Sequence, residues 1–350
     1  MKLVMTLLAR DEADVVDAQL AFHLHAGVDL VIATDNRSQD GTTEILERYE
    51  RAGRLVLLRE EGEDMRQGEW VTRMARLAAT EHGADWVINA DADEFWWPRS
   101  GSLKEVLAAV PERYGIVRGC WRHFLPRPVT DEPFSERMTV RLCVPAHPGD
   151  KETIYHAHQK VAHRADPDVA IEPGNHDASS PRLAPLRNWH PIEVLHFSLR
   201  SPAQLERKAL RDWVGWTRNP HGPTLHQELA YAAHRAGRID EYFDSFALGD
   251  DELASGLADG SLAVDTRLRD ALRTLAAPDE RFLVPDGTRE LAFPQPAPGD
   301  DARYAGEASV LEDIDGIVRA ELRVDAFERR LASLERGTLT RLRDLVRRDS

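Results

Sequence analysis

Short apolar runs alternate with helical patterns through the first ninety residues, and no other feature limits the fold as strongly. Residues 2–9 form the first run and suit a buried strand. Arg10-Asp11-Glu12-Ala13 ends it and opens a helix in which Val16, Leu20 and Leu24 recur at i+4. Gly27 fits a C-cap. Leu30-Val31-Ile32-Ala33-Thr34 is the second run. A turn dense in capping residues follows, Asp35-Asn36-Arg37-Ser38-Gln39-Asp40-Gly41-Thr42, and then a helix with Ile45, Leu46 and Tyr49 on one face. Residues 55–58 give a third strand, residues 65–82 a helix through Trp70 and Met74, and residues 85–90 a fourth strand. Such repeats build right-handed βαβ units and a parallel sheet. The expected class is therefore α/β: a Rossmann-like, mostly parallel sheet flanked by helices, with a helical C-terminal extension. Open parallel sheets bind ligands beyond the carboxyl ends of their strands. The polar segments 9–12, 35–42 and 91–94 each follow a strand, so they are expected on one edge.

The fourth run ends in Asp91-Ala92-Asp93-Glu94. In extended backbone, residues i and i+2 point to one side. Asp91 and Asp93 can then converge on one Mg²⁺ or Mn²⁺, while Glu94 turns away to fix the loop. A solvated acidic turn is the competing reading.

Composition narrows the partners. Hydrophobic residues make up 42% and charged residues 30%, and the net charge of −15 leaves no basic excess for nucleic acid. Only two cysteines occur, Cys120 and Cys143, which fits a reducing compartment. Arg10-Asp11-Glu12 follows the N-terminal apolar run too soon for a signal peptide, and no apolar run is long enough for a transmembrane helix. The expected location is the cytoplasm, or the inner face of the membrane.

Beyond Pro98, Ser102 and Glu105 make a capping box for a short helix. Residues 115–121 and 138–142 alternate like antiparallel strands, and 158–164 with 168–172 read as another strand pair. Residues 192–197 are a last strand before a helix at 202–217. Helices are expected at 224–237, 239–246, 250–257 and 264–276, then a flexible Pro/Gly/Asp-rich stretch at 278–306. The helical stretch 308–348 carries Val324, Phe327, Leu331 and Leu334 near a 3.5-residue spacing, a seam for docking on the parent domain or for a homo-oligomer. This divides the chain into a domain at 1–217 and a mainly helical region at 218–350.

Five motifs in order then carry a resemblance: Arg10-Asp11-Glu12, Asp35-Asn36-x-Ser38-x-Asp40-Gly41-Thr42, Asp91-Ala92-Asp93-Glu94-Phe95, Gly174-Asn175-His176, and His196-Phe197-Ser198-Leu199-Arg200-Ser201 with Lys208 downstream. The chain resembles family 2 glycosyltransferases of the GT-A fold over residues 1–215. The resemblance implies a nucleotide-sugar donor, with UDP-sugar favoured, and Mn²⁺ or Mg²⁺. It implies that Asp35 bonds the nucleotide base, that Ala9 and Arg10 line the nucleoside pocket, and that Asp91 and Asp93 hold ribose and metal. His196 matches the late histidine that completes the metal sphere. Arg200 and Lys208 suit the remaining phosphate charge. Such enzymes mostly invert the anomeric centre and need a general base. Asp177 is the first candidate by analogy, with Glu172 and His176 behind it. The acceptor, a glycan or small molecule, is left open. The alternatives are a nucleotidyltransferase acting on a sugar phosphate, although the turn after the first strand lacks its Gly-rich loop, and a non-catalytic sugar-binding relative.

Several residues admit plainer roles. Asp40 suits an N-cap as well as a ligand contact. Trp96 and Trp97 suit either an acceptor wall or the core. His23, His25, His82 and His234 read as surface or packing residues. His156, His158 and His163 lack a structural-zinc spacing. The acidic run Glu60-Glu61-Gly62-Glu63-Asp64 reads as a solvated loop that this fold brings toward the nucleotide.

Overall fold

The computed structural model describes residues 1–62, 66–143, 154–187, 189–216, 225–277, 281–285 and 291–293. All belong to one compact unit, Met1–Asp301; Ala302–Ser350 forms a second unit outside the described residues, as do most of the 278–306 stretch and the whole 308–348 seam.

The alternation of the first ninety residues becomes β1 (Leu3–Ala9), α1 (Val16–His25), β2 (Leu30–Asp35), α2 (Thr42–Arg51), β3 (Leu55–Arg59), α3 (Gln67–Thr80) and β4 (Trp86–Asp91). After it come β5 (Glu94–Pro98), α4 (Leu103–Ala108), β6 (Ile116–His123), α5 (Phe134–Arg137), β7 (Val140–Leu142), β8 (Gln159–Arg164), β9 (Ala170–Ile171), β10 (Ala178–Ser179) and β11 (Ile192–His196). The rest is α6 (Pro202–Trp216), α7 (Leu225–Arg235), α8 (Ile239–Asp244), α9 (Asp250–Asp259), β12 (Leu262–Val264) and α10 (Arg267–Leu275).

Eight strands make one sheet in the order β3-β2-β1-β4-β8-β6-β11-β5. β1, β2, β3 and β4 are parallel, as are β6 and β11, whereas β8 and β5 run against their neighbours. The class is α/β with a mostly parallel sheet. The strand pairs expected beyond Pro98 are arranged differently. β6 joins the main sheet, but β7 pairs with β12, a strand unmarked in the sequence by its three-residue length. β8 enters the main sheet between β4 and β6, while β9 pairs with β10. Period-two patterning marks a strand but not its partner.

The chain length between β4 and β5 forces the sheet to curl. Only Ala92 and Asp93 connect them, so the step from Asp91 to Glu94 reaches about 11 Å at most. Three strands separate β4 from β5 in the sheet, four spacings or about 19 Å if flat. The two ends meet only because the sheet rolls around this edge.

Trp96 and Trp97 lie in the core, 0% and 1% exposed. Trp97 stacks on Phe22 of α1 with ring centroids 5.8 Å apart. The Trp96 amide, on the edge strand, donates to His23 Nε2 at 3.1 Å, while His23 Nδ1 bonds the Gln19 carbonyl at 2.8 Å. His23 is therefore a packing residue, held neutral by burial, which pushes its pKa down to about 4. Gly119 of β6 leaves no room for a side chain: an added Cβ would meet Val194 Cγ2 of β11 at 2.9 Å.

Charge pins the far side of the sheet. Glu193 of β11 bonds Arg99 (2.9 Å), Arg122 of β6 (3.1 Å) and Arg267 of α10 (2.7 Å). Burial pushes its carboxyl up, but the guanidiniums of Arg267, Arg122 and Arg99 outweigh this and hold it at about 2. A depressed carboxylate stabilises the fold above its unfolded value, near 4.5, and loses that contribution as pH falls toward 2. Glu193→Gln should cost on the order of 3 kcal/mol at pH 7 and flatten the pH dependence of stability between pH 4.5 and 2, read by urea denaturation. Trp97→Ala should cost about 3–5 kcal/mol at any pH in the same assay.

Candidate active site

The site assembles because the strands bring unlike segments to one edge. The carboxyl ends of β1, β2, β4, β6 and β11 arrive there, and so do the amino ends of the reversed strands β5 and β8. The register sets Glu94 of β5 opposite His196 of β11, and His196 beside His123 of β6. These three form one row across the sheet.

Asp91 and Asp93 have different partners. Asp91 Oδ2 accepts from Lys160 Nζ at 2.5 Å, and Oδ1 accepts from Asn175 Nδ2 at 3.0 Å and Gln67 Nε2 at 3.4 Å. Lys160, 1% exposed, also donates to the Gly174 carbonyl at 2.6 Å and pairs with Glu94 Oε1 at 2.9 Å. The Gly174-Asn175 turn supplies two of these contacts by holding both residues at positive φ, 80° and 59°. Glu94 is fully buried; Trp121 Nε1 donates to it at 2.8 Å and the Asp91 amide at 3.1 Å. Burial, aided by the nearby Asp91 and Asp93 and opposed by Lys160, pushes Glu94 up to about 8.

Asp93 faces the open side. Its Oδ2 lies 3.8 Å from His196 Nε2, 3.7 Å from Arg200 Nη1 and 3.9 Å from Lys208 Nζ. Burial opposes its charge, but the cationic Lys208, Arg200 and Lys160 around it hold its pKa down to about 2. It is ionised at neutral pH.

The hydrogen bonds fix the state of His196. His123 Nε2 lies 2.8 Å from the His156 carbonyl, which only accepts, so His123 carries its proton there. Burial lowers His123 to about 4, so its Nδ1 is a bare lone pair. His196 Nδ1, 3.2 Å away, must then donate to it. Burial holds His196 well below the ordinary imidazole value, against the pull of Asp93. Its remaining nitrogen, Nε2, is unprotonated and points at the Asp93 carboxylate. Two Lewis bases face each other with no proton between them, a donor set that suits a divalent cation. Glu94 Oε completes a buried Asp93–Glu94–His196 group whose atoms lie within 4.8 Å of one another. Asp91 is turned instead toward Lys160.

Two cavities meet here. The larger, about 380 Å³, runs over Trp121, His158, Lys160, His176 and His196. The smaller, about 200 Å³, lies over Arg10, Glu12, Asn36, Trp70 and Arg211. Gln67, Asp91, Asp93, Lys208 and Gln227 line both. The Asp-x-Asp turn stands at the junction.

The other sequence candidates fall in several places. Arg10 lines the smaller cavity and bonds Asn36 Oδ1 at 3.1 Å; Ala9, at the end of β1, accepts from the Asn36 amide at 3.0 Å. Asp35 is 4% exposed and spends both oxygens on its own turn, accepting from the Ser38 amide at 3.1 Å and Thr43 Oγ1 at 2.5 Å. Its neighbour Asn36 is the residue that reaches the cavity. Asp40 accepts from the Thr42 amide and hydroxyl and from the Ala13 amide, so it staples two turns together. Arg200, 1% exposed, donates to Glu12 at 2.5 Å and Asp14 at 2.7 Å, tying β11 to the turn after β1. Lys208 is the more accessible cation. Of the three base candidates, Asp177 is buried against Arg118 at 3.2 Å and Glu172 is exposed; His176 lines the larger cavity. Lys160, Trp121, His123 and Gln67 carried no sequence motif. Trp121, stacked on His196 at 4.2 Å, was visible only as one aromatic in an alternating strand.

His123 should matter to a cation it never touches. His123→Phe should weaken Mn²⁺ binding by roughly 10–100-fold, measured by the electron paramagnetic resonance of free Mn²⁺, because Nδ1 of His196 loses the acceptor that fixes its proton. His123→Gln, whose amide oxygen can accept, should recover part of the loss.

Neither a scan of protein-family models nor a search of curated proteins returns a match. Solved structures of similar fold include S. aureus TarS 1–349 in complex with UDP, at 13% identity and TM-score 0.33, over 85% of this chain and 98% of that one. Another is glucosyl-3-phosphoglycerate synthase from Mycobacterium tuberculosis with Mn²⁺, UDP and glucosyl-3-phosphoglycerate, at 21% identity and TM-score 0.25, over 35% and 44%. A third is a 4-diphosphocytidyl-2C-methyl-D-erythritol synthase, at 16% identity and TM-score 0.26, over 47% and 75%.

Proposed function

We propose that the chain is a metal-dependent, inverting glycosyltransferase of the family 2 type, moving a sugar from a nucleotide-sugar, with UDP-sugar favoured, to an acceptor hydroxyl. One observation carries the reading: the Asp93 carboxylate and His196 Nε2 face each other at 3.8 Å where two cavities join. A donor has two unlike halves with a diphosphate between them, and this site has two unlike cavities with a cation-binding pair between them.

The smaller cavity takes the nucleotide. Arg10 lines it and donates to Asn36 Oδ1 at 3.1 Å, while Asn36 Nδ2 donates to the Glu60 and Gly62 carbonyls and so holds this edge of the cavity in place. Asp35 then acts at one remove, by holding the turn that presents Asn36. The larger cavity takes the sugar and the acceptor. Asp93 and His196 would hold Mn²⁺ or Mg²⁺, which when bound supplies Lewis-acid neutralisation of the leaving diphosphate. Lys208 adds a partly exposed positive charge at the same junction, whereas Arg200 keeps Glu12 and Asp14 in place. Asp91, fixed by Lys160, Asn175 and Gln67, orients toward the ribose side. Proton removal from the acceptor falls to His176, the base candidate that lines the cavity. Its Nδ1 bonds the Gln159 carbonyl at 2.9 Å, which leaves Nε2 as the basic nitrogen.

Calorimetry tests the reading. UDP should bind in the presence of Mn²⁺ and lose about 100-fold or more in affinity when the metal is chelated or Asp93 is changed to Asn. Unchanged UDP binding in chelator would overturn the metal-dependent reading. Tight binding of a nucleoside triphosphate, with pyrophosphate release, would point to nucleotidyl transfer instead.

A further inference from the structure

The larger cavity has two chemically different walls. Its floor is polar: Asp93, Lys160, His158, His176 and His196, with Trp121 among them. The facing wall is built from Leu199, Leu205, Ala209, Ala230, Tyr242 and Phe246. These six belong to one apolar cluster, centred on the fully buried Phe243, where α6, α7 and α8 pack together. Tyr242 and Phe246 are half-buried and present ring surface to the cavity. Among the described residues, this wall carries no carboxylate and no guanidinium; His226, Gln227 and the Tyr242 hydroxyl are its polar groups, and Gln227 lies at the junction with the smaller cavity.

This contrast selects among acceptors. A sugar buries several hydroxyl groups, and each one left without a partner costs about 1–3 kcal/mol. The Leu199, Leu205, Ala209, Ala230 and Phe246 side chains of this wall offer none, and the Tyr242 hydroxyl offers only one. An anionic acceptor needs cations, yet Lys160 is committed to Asp91 and Glu94, and Lys208 sits at the diphosphate junction. What fits is a neutral, flat, apolar body with one hydroxyl directed at the floor. Tyr242, Phe246 and Trp121 supply aromatic faces for it, and the stacked pair His158–His176, with centroids 3.5 Å apart, bounds the floor.

We infer that the acceptor is a hydroxylated aromatic compound of the phenol class, seated with its ring against Tyr242 and Phe246 and its hydroxyl over the floor. This rests on the glycosyltransfer reading of the same site. In the transfer, the phenolic oxygen forms a bond to the anomeric carbon of the donor. The bond from that carbon to the diphosphate oxygen breaks, its electron pair leaves with the nucleoside diphosphate, and the phenolic proton passes to His176. No oxidant or reductant is needed.

4-Methylumbelliferone is a suitable probe, because its fluorescence reports both binding and conversion of the hydroxyl. It should bind the Mn²⁺–UDP complex of the protein. Phe246→Ser and, independently, Tyr242→Ser should weaken it about tenfold each, with UDP–Mn²⁺ affinity changed by less than about twofold. Methyl glucoside should not compete. The inference is overturned if methyl glucoside displaces the probe, or if both variants bind UDP–Mn²⁺ normally and hold the probe as tightly as the unaltered protein. Failure of the transfer reading looks different: UDP–Mn²⁺ does not bind at all, while probe binding that depends on Phe246 and Tyr242 still identifies the apolar wall as an aromatic-ligand site.

Discussion

One buried ammonium keeps the acidic edge of this sheet in order. Asp91, Asp93 and Glu94 fall within four residues, and two of the three are less than a tenth exposed. Left to themselves they would repel or take up protons. Lys160 enters from β8, bonds Asp91 and Glu94, and donates to the Gly174 carbonyl. Those carboxylates raise its pKa above the ordinary lysine value despite its burial, so its charge is permanent. Asp93 is thereby left as the one carboxylate of the three not bonded to Lys160, and it meets His196 at the cavity junction. The arrangement separates a fixed internal cation from a place where an exchangeable one fits.

The sheet makes this economy possible. β8 and β5 run against the others, so their first residues, rather than their last, reach the functional edge. That is why a lysine at the start of β8 and a glutamate at the start of β5 join aspartates and histidines at the ends of β4, β6 and β11. On the opposite flank, charges are paired for cohesion only: Glu193 is enclosed by three arginines and touches neither cavity.

Local pattern carried the parallel half of this fold and little of the rest. The strands and helices up to Asp91 read directly, because each is an apolar run or a 3.6-residue stripe between turn residues. Asp93, His196, Lys208 and Arg10 stand at the cavities because each closes or follows a strand pointing the same way. Glu94 reads as fixing its loop, and its bond from the Asp91 amide agrees, but Lys160 beside it was illegible for the complementary reason, since strand direction is set by pairing partners far along the chain. Asp35 and Arg200 illustrate a second limit. Residue type announces that they bond strongly, but not whether the partner is a ligand or the protein's own backbone and carboxylates. Trp96 and Trp97 show a third: nothing in three consecutive aromatics tells a pocket wall from a core.

The two-residue connection between β4 and β5 has a bearing on how sequences like this one can vary. Surface loops ordinarily absorb inserted residues at small cost, since each doubling of loop length adds only about 0.6 kcal/mol. Ala92 and Asp93 have no such freedom. They form a tight turn that holds the ends of β4 and β5 together, while strand register sets Glu94, His196 and His123 in one row beside it. One extra residue would slacken the curl and shift every group on that edge at once. The length of this turn therefore governs the charged edge as a whole, whereas the helices that line the outer wall lie on separate elements, where a substitution leaves the charges beneath it in place.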